Sequence, residues 1–389
     1  MGTITRRMFM RSSAMGATAA VFLNSTLEKA AKRLDLPRDG AKKVITRRLG
    51  KTGIELPVVS MGVMRADNPA LVRAALAAGM RHLDTAHGYM QGNNESMLGE
   101  VLKDYPRNSF VISTKIPGDD AAGFHEKLEL SLKRLQMEYV DILYLHGASS
   151  RGDALAPALL EALRTAKKSG KAKHLGVSTH KNEPEVIRAA LESGVYEVVL
   201  TSVNYKQDHY PEVKKAIADA ASDGLGIIGM KTMAGGFHDK ERTKPVNCKA
   251  ALKWVLQDSN ISTTIPGVTT FEMLAENASV NEDIKLNDQE KADLAYCAPG
   301  GGLYCLSCSH CSSDCAKRLP IPDIMRAYMY TYGYRNPALA QDLLRSLGVG
   351  RDPCTGCAAC RVRCPKGFTI AERVGDVARL VDVPSEFFS

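Results

Sequence analysis

The chain predicts an α/β protein: a closed barrel of eight parallel strands, followed by a smaller, mainly helical, cysteine-rich domain. Three observations lead there. Strand-like runs begin near Leu56, Arg81, Ser109, Tyr139, Ala172, Tyr196, Leu225 and Ile261, with helical stretches between them. Eight β–α units over about 230 residues have the count and length of a (β/α)8 TIM barrel. Beyond the last strand, eight of the ten cysteines crowd into residues 305–364. A doubly wound open sheet is the runner-up, but no strand–Gly-x-Gly-x-x-Gly–helix unit supports it.

The N-terminus reads as a targeting segment. Thr5-Arg6-Arg7-Met8-Phe9-Met10-Arg11 precedes an uncharged stretch from Ser12 to Thr26. That run is too short and too rich in Ser, Ala and Gly to span a bilayer, so no integral membrane span is expected. Paired arginines with a nearby Phe resemble a twin-arginine export signal over residues 1–30, which implies a periplasmic destination. No Ala-x-Ala site precedes the charged segment, so cleavage stays open. Residues 31–43 read as a linker. The net charge of +8 sits here: residues 1–48 hold eleven Lys+Arg against three Asp+Glu, and the remainder holds 40 of each. The body therefore has no overall basic field for nucleic acid. At 389 residues and 44% hydrophobic content, a large domain plus a smaller one is expected.

Residues 44–296 carry the barrel. Asn68-Pro69 opens a helix that stops at Gly79, with Leu71, Val72, Ala75 and Leu76 at helical spacing. Asn182 to Pro184 opens another ending at Gly194, and Pro211 a third ending at Gly224. Several apolar runs stop at one polar residue. His82-Leu83 leads to Asp84, with Tyr89 five residues on. Phe110 to Thr114 leads to Lys115, and Tyr139 to Leu145 leads to His146. Acid, phenol, amine and imidazole at successive strand ends point to one polar site at one rim of the barrel. A phenol of ordinary pKa, about 10, is a weak acid–base group at neutral pH. An adjacent ammonium lowers that value, so Lys115 is expected to activate Tyr89 while Asp84 orients the lysine.

Leu83-Asp84-Thr85-Ala86 with Tyr89, then Lys115, then Asp141-Ile142-Leu143-Tyr144-Leu145-His146-Gly147, resembles the aldo-keto reductases, over about Arg48 to Asn277. The resemblance implies a catalytic tetrad of Asp84, Tyr89, Lys115 and His146. It also implies a nicotinamide dinucleotide, NAD(H) or NADP(H), across the barrel mouth, and a small carbonyl or alcohol substrate. Gly176-Val177-Ser178-Thr179 resembles the carboxamide-holding stretch, with Ser178 matching and Thr179 departing. Gly229 to Gly236, including Lys231 and Gly235, resembles the loop that wraps the pyrophosphate. Ile265-Pro266-Gly267-Val268-Thr269 with Glu276 and Asn277 resembles the adenosine end. Members that prefer NADP carry cations at the positions of Gly267 and Met273, and this chain does not.

Residues 297–389 form the second expected domain. Cys305-x2-Cys308-x2-Cys311-x3-Cys315 is matched by Cys354-x2-Cys357-x2-Cys360-x3-Cys364-Pro365, with a helical spacer from Ile321 to Leu347 between them. The doubled spacing is that of a ferredoxin-like domain with two 4Fe-4S clusters, in which the fourth cysteine reaches the other cluster. Cys305, Cys308, Cys311 and Cys364 are thus expected on one cluster, and Cys354, Cys357, Cys360 and Cys315 on the second. Zinc is the alternative for paired Cys-x2-Cys. Cys248 and Cys297 read as ordinary small apolar residues. The expected protein is an exported oxidoreductase whose clusters exchange electrons with a redox partner protein. Two alternatives stand beside it: an electron-transfer subunit with a non-catalytic barrel, and clusters that only brace the fold.

Overall fold

A computed structural model of the chain describes residues 44–118, 120–238, 243–295, 304–305, 307–357 and 360–388. The expected export segment, the linker, Cys297 and the expected domain boundary near 296 lie outside the described residues. Val44–Ser389 form one compact unit.

A short antiparallel hairpin comes first: β1 (Thr46–Arg48) pairs with β2 (Glu55–Pro57). Eight parallel strands follow: β3 (Met61–Gly62), β4 (His82–Asp84), β5 (Val111–Pro117), β6 (Val140–His146), β7 (Ala172–Thr179), β8 (Val198–Ser202), β9 (Gly226–Met230) and β10 (Ile261–Thr264). Each pairs with the next, and β3 meets β10 through parallel bridges Val59–Thr264 and Gly62–Gly267, which closes the barrel. Asn281 clasps this seam by accepting from the Val59 N–H at 2.7 Å and donating to the Val59 carbonyl at 3.0 Å.

The run at Leu56 was expected to be the first barrel strand, and the structure corrects this. It belongs to the hairpin, whose Leu49 and Leu56 join Ile142, Tyr144, Val198, Leu200 and Ile228 in the barrel interior. The hairpin fills the N-terminal end, where those two leucines are fully buried. Only the opposite rim, at the C-terminal strand ends, is left for chemistry.

Around the barrel run α1 (Pro69–Ala77), α2 (Asn93–Leu102), α3 (Ala121–Leu135), α4 (Arg151–Ala154), α5 (Pro157–Lys168), α6 (Glu183–Ser193), α7 (Tyr210–Ser222), α8 (Cys248–Leu256) and α9 (Phe271–Ser279). The caps follow local chemistry. Asn68 accepts from the Ala70 N–H, with Pro69 in the first turn of α1. Gly194 ends α6 in the left-handed region.

After α10 (Asp288–Ala295) the chain builds a second apolar cluster from α11 (Ile321–Tyr332), α12 (Pro337–Ser346) and α13 (Ile370–Ala378). Ile321, Ile324, Met325, Leu344, Val374 and Val377 form its centre, with Cys311 among them. The expected spacer is two helices, because Asn336 caps and Pro337 begins the second. Among the described residues no helix is long and apolar enough to cross a membrane.

Candidate active site

The tetrad converges at the C-terminal ends of β4, β5 and β6. Register places Asp84 beside Ser113, and Pro117 beside His146. Lys115 is 1% exposed and Asp84 2%. The Lys115 ammonium donates to the Asp84 carboxylate, to the Thr85 carbonyl at 2.6 Å and to the Tyr89 Oη at 3.3 Å. Ser113 donates to the second Asp84 oxygen at 2.7 Å. A buried ammonium with three acceptors is fixed in place, as a buried charge requires.

Tyr89 sits on a short turn, and the backbone after it explains its position. Met90, Gln91 and Gly92 take left-handed φ values of 51°, 56° and 89°. Two consecutive non-glycine residues there are uncommon and mark strain held by the surroundings. The turn holds the phenol over Lys115, whose nitrogen lies 4.8 Å from the ring centroid. The Tyr89 and His146 rings meet edge to face at 6.2 Å. Gly88, just before Tyr89, has an ordinary φ of −89°.

Electrostatics reverse one expectation. Burial raises the Tyr89 pKa above its ordinary value, and the opposing pull of Lys115 does not cancel it. The phenol is a held proton, not a ready phenolate. For Lys115, burial disfavours the ammonium, but Asp84 and Tyr89 outweigh burial and raise its pKa. Burial, aided by Lys115 and Arg326, drives His146 down to about 3. It is a neutral imidazole at pH 7, able to donate one hydrogen bond. A fixed ammonium, an un-ionised phenol and a neutral imidazole at one rim can polarise an oxygen and hand it a proton.

The residues expected to meet a dinucleotide lie on the same rim. Ser178 Oγ accepts from the Gly147 N–H at 2.9 Å and donates weakly to the Leu145 carbonyl at 3.4 Å. Lys231 follows β9 with a left-handed φ of 56°, and burial together with Arg326 lowers its pKa to about 7. The buried Thr232 hydroxyl beside it has no partner among the described residues. Gly267 has open space where a Cβ would stand. Thr269 contacts Met273 Sδ, and Glu276 and the buried Asn277 ride on α9. Gly235 is different: a Cβ there would lie 2.8 Å from the Tyr304 ring, so a residue of the cysteine-rich part covers it.

The sequence reading also missed how α11 crosses the mouth. Lys181 meets Asp323 at 3.4 Å, and Asp208 meets Lys366 at 2.6 Å. Tyr330 and Tyr334 stack at 5.6 Å and both interact electrostatically with Tyr89. The signal was present in part, since Arg326 and Tyr330 are spaced by four on one face of α11, with Tyr334 just past its end.

The cysteines fall into two neighbourhoods. Cys305 interacts with Cys311, Cys308 and Cys364, and Cys354 with Cys360, Cys357 and Cys315. None of the eight is paired in a disulfide. Left-handed Ser307 and Ser309 bend the chain between the first cysteines. Among the described residues, no three Cys, His, Asp or Glu side chains converge closely enough for a single metal ion.

Comparison with known proteins places the barrel. The Aldo/keto reductase family matches residues 58–250. An L-galactose dehydrogenase of Arabidopsis thaliana is 26% identical over 296 residues, covering 64% of this chain and 92% of its own. A methylglyoxal reductase of Salmonella typhi is 28% identical, covering 62% and 92%. An L-glyceraldehyde 3-phosphate reductase of Escherichia coli is 24% identical, covering 64% and 90%. A solved aldo-keto reductase from Bacillus halodurans, in its holo form, superposes with a TM-score of 0.54 at 20% identity, covering 66% of this chain and 98% of that one, and shares the barrel fold. With strand order, rim and sequence match in agreement, this chain belongs to the aldo/keto reductase family and is an oxidoreductase of that type.

Proposed function

We propose that the chain interconverts a small carbonyl compound and its alcohol, with Tyr89 giving or taking the proton at oxygen. The observation that carries this reading is the Lys115 ammonium, donating to both Asp84 and the Tyr89 oxygen. The phenol accepts from the lysine, so its own O–H remains for the substrate. His146, neutral and edge-on to Tyr89, would hold the same oxygen. The named relatives are a dehydrogenase of L-galactose and reductases of methylglyoxal and L-glyceraldehyde 3-phosphate, which favours a small substrate.

A nicotinamide dinucleotide would supply hydride when bound. The open face of Gly267 and the unpartnered Thr232 hydroxyl fit such a ligand. Lys231, Thr269, Glu276, Asn277 and Ser178 would line its path. The Tyr304 ring over Gly235 would have to move aside for a diphosphate to approach that glycine. Purified protein is expected to reduce short aldehydes with NADH or NADPH. Tyr89→Phe is expected to lower kcat on the order of 10²–10⁴-fold while dinucleotide binding persists. No nicotinamide-dependent turnover in the parent protein overturns the reading.

The cysteine-rich part would hold two 4Fe-4S clusters, one on Cys305, Cys308, Cys311 and Cys364, the other on Cys354, Cys357, Cys360 and Cys315. The two thiol neighbourhoods support that crossed assignment. Such clusters carry single electrons and would connect the chain to a redox partner protein. Arg6-Arg7 and the uncharged run after them support export by the twin-arginine route to the periplasm. Replacing both arginines with lysine is then expected to retain the protein in the cytoplasm, and unchanged fractionation refutes that route.

A further inference from the structure

α11 carries to the barrel mouth a cation that the tetrad does not require. Arg326 hydrogen-bonds Asp323 at 2.5 Å, one turn earlier on the same helix. Asp323 also faces Lys181. The Arg326 and Asp323 side chains are only 12% and 18% exposed. The guanidinium Nε–H is buried and has no acceptor among the described residues. The Arg326 charge reaches His146, His180 and Lys231.

The local charges do not balance. Arg326 and Lys181, with Lys231 only partly charged, surround one carboxylate, Asp323. The other nearby carboxylate, Glu183, is already engaged by Ser202, Gln207 and His209. Both imidazoles facing the group are held neutral by burial. Enclosed cations in excess, one with an unused donor, are costly unless an anion joins them.

We infer that the substrate is a short carbonyl compound bearing its own carboxylate or phosphate, and that Arg326 binds that anionic group with Lys231 adding charge. This rests on the reductase reading above and names its substrate class. Tyr330, one turn after Arg326, is the α11 residue that interacts with Tyr89. One turn is about 5.4 Å, so Arg326 and Tyr330 rise on the same side of the mouth. The competing source of anion is the dinucleotide's diphosphate. The separate NADH titration below tells the two sources apart.

Calorimetric titration of the full, cluster-loaded chain tests this. Oxalate, inorganic phosphate and NADH serve as separate probes, against the parent, Arg326→Gln and Asp323→Asn. Arg326→Gln is expected to weaken oxalate or phosphate at least tenfold while NADH binding changes less than threefold. The stronger of the two probes tells carboxylate from phosphate. Asp323→Asn removes the competing carboxylate and is expected to tighten the anion at least threefold, a gain that misfolding cannot produce. The inference is overturned if the parent binds neither anion, if either variant leaves anion affinity unchanged, or if Arg326→Gln weakens NADH in parallel. Anion binding of the expected pattern without carbonyl turnover would remove the reductase reading and leave the anion site standing.

Discussion

At the scale of single residues, burial decides the chemistry. Asp84 and Lys115 neutralise each other in a dry site, and the cost of burying each is offset only because the other is there. The same burial keeps Tyr89 protonated and His146 neutral. Sequence named all four residues, because strand-end polarity is a local pattern. It misjudged the tyrosine, because Lys115 was visible in the sequence and the desolvation opposing it was not. His82 gives a stability test of this kind. Its Nε2 lies 3.0 Å from the Ser113 hydroxyl, its Nδ1 has no partner among the described residues, and burial lowers its pKa to about 4. The unfolded imidazole titrates near 6.5. Between pH 6.5 and 4 the unfolded chain gains a proton that the folded chain refuses, so stability falls as pH falls across that window. His82→Gln is expected to recover about 2 kcal/mol of the loss at pH 5, relative to pH 8. Urea denaturation at the two pH values measures it, and an equal loss in variant and parent would refute the assignment.

At the scale of elements, the barrel rests on size matching between neighbouring strands. Gly176 on β7 lies beside Tyr144 on β6, and a Cβ there would meet the Tyr144 ring at 2.5 Å and the Val198 carbonyl oxygen at 2.9 Å. Tyr144 is fully buried, so neither neighbour has room to retreat. Gly176→Ala is therefore expected to destabilise the protein by at least about 1–3 kcal/mol through overpacking. Thermal unfolding of the variant checks this, and an unchanged midpoint would show that the interior is looser than described. Seven of the eight strand starts follow from apolar runs that end in turn residues. Leu56 misled because an apolar run of that length suits a hairpin as well as a barrel strand. Its antiparallel partner, Thr46–Arg48, has no apolar pattern to announce itself.

At the scale of the whole molecule, the cysteine-rich part and the barrel share one site. α11 crosses the mouth, Tyr304 covers Gly235, and Lys366 pairs with Asp208. The thiol neighbourhoods make the crossed assignment testable. On the proposed two-cluster reading, Cys364→Ser is expected to impair the cluster of Cys305, Cys308 and Cys311, and Cys315→Ser the other, each taking iron from about eight per chain towards four. Iron and sulfide analysis with electron paramagnetic resonance on anaerobic protein reads this directly. An uncrossed assignment would swap the outcomes: Cys364→Ser would then lose the same signal as Cys354→Ser, and Cys315→Ser the same signal as Cys305→Ser.

The amino-acid sequence by itself determined the alternation of strands and helices, the polar residues of three strand ends with the tyrosine that follows the first, and the doubled cysteine spacing. Each is a local pattern whose meaning does not depend on a distant partner. Only the tertiary structure decided that the N-terminal hairpin plugs one end of the barrel, that α11 brings Arg326 and Tyr330 to the other, and that Tyr89 keeps its proton. Those outcomes depend on which surfaces exclude water from which charges. Burial arises from residues far apart in the chain, so no window of sequence contains it.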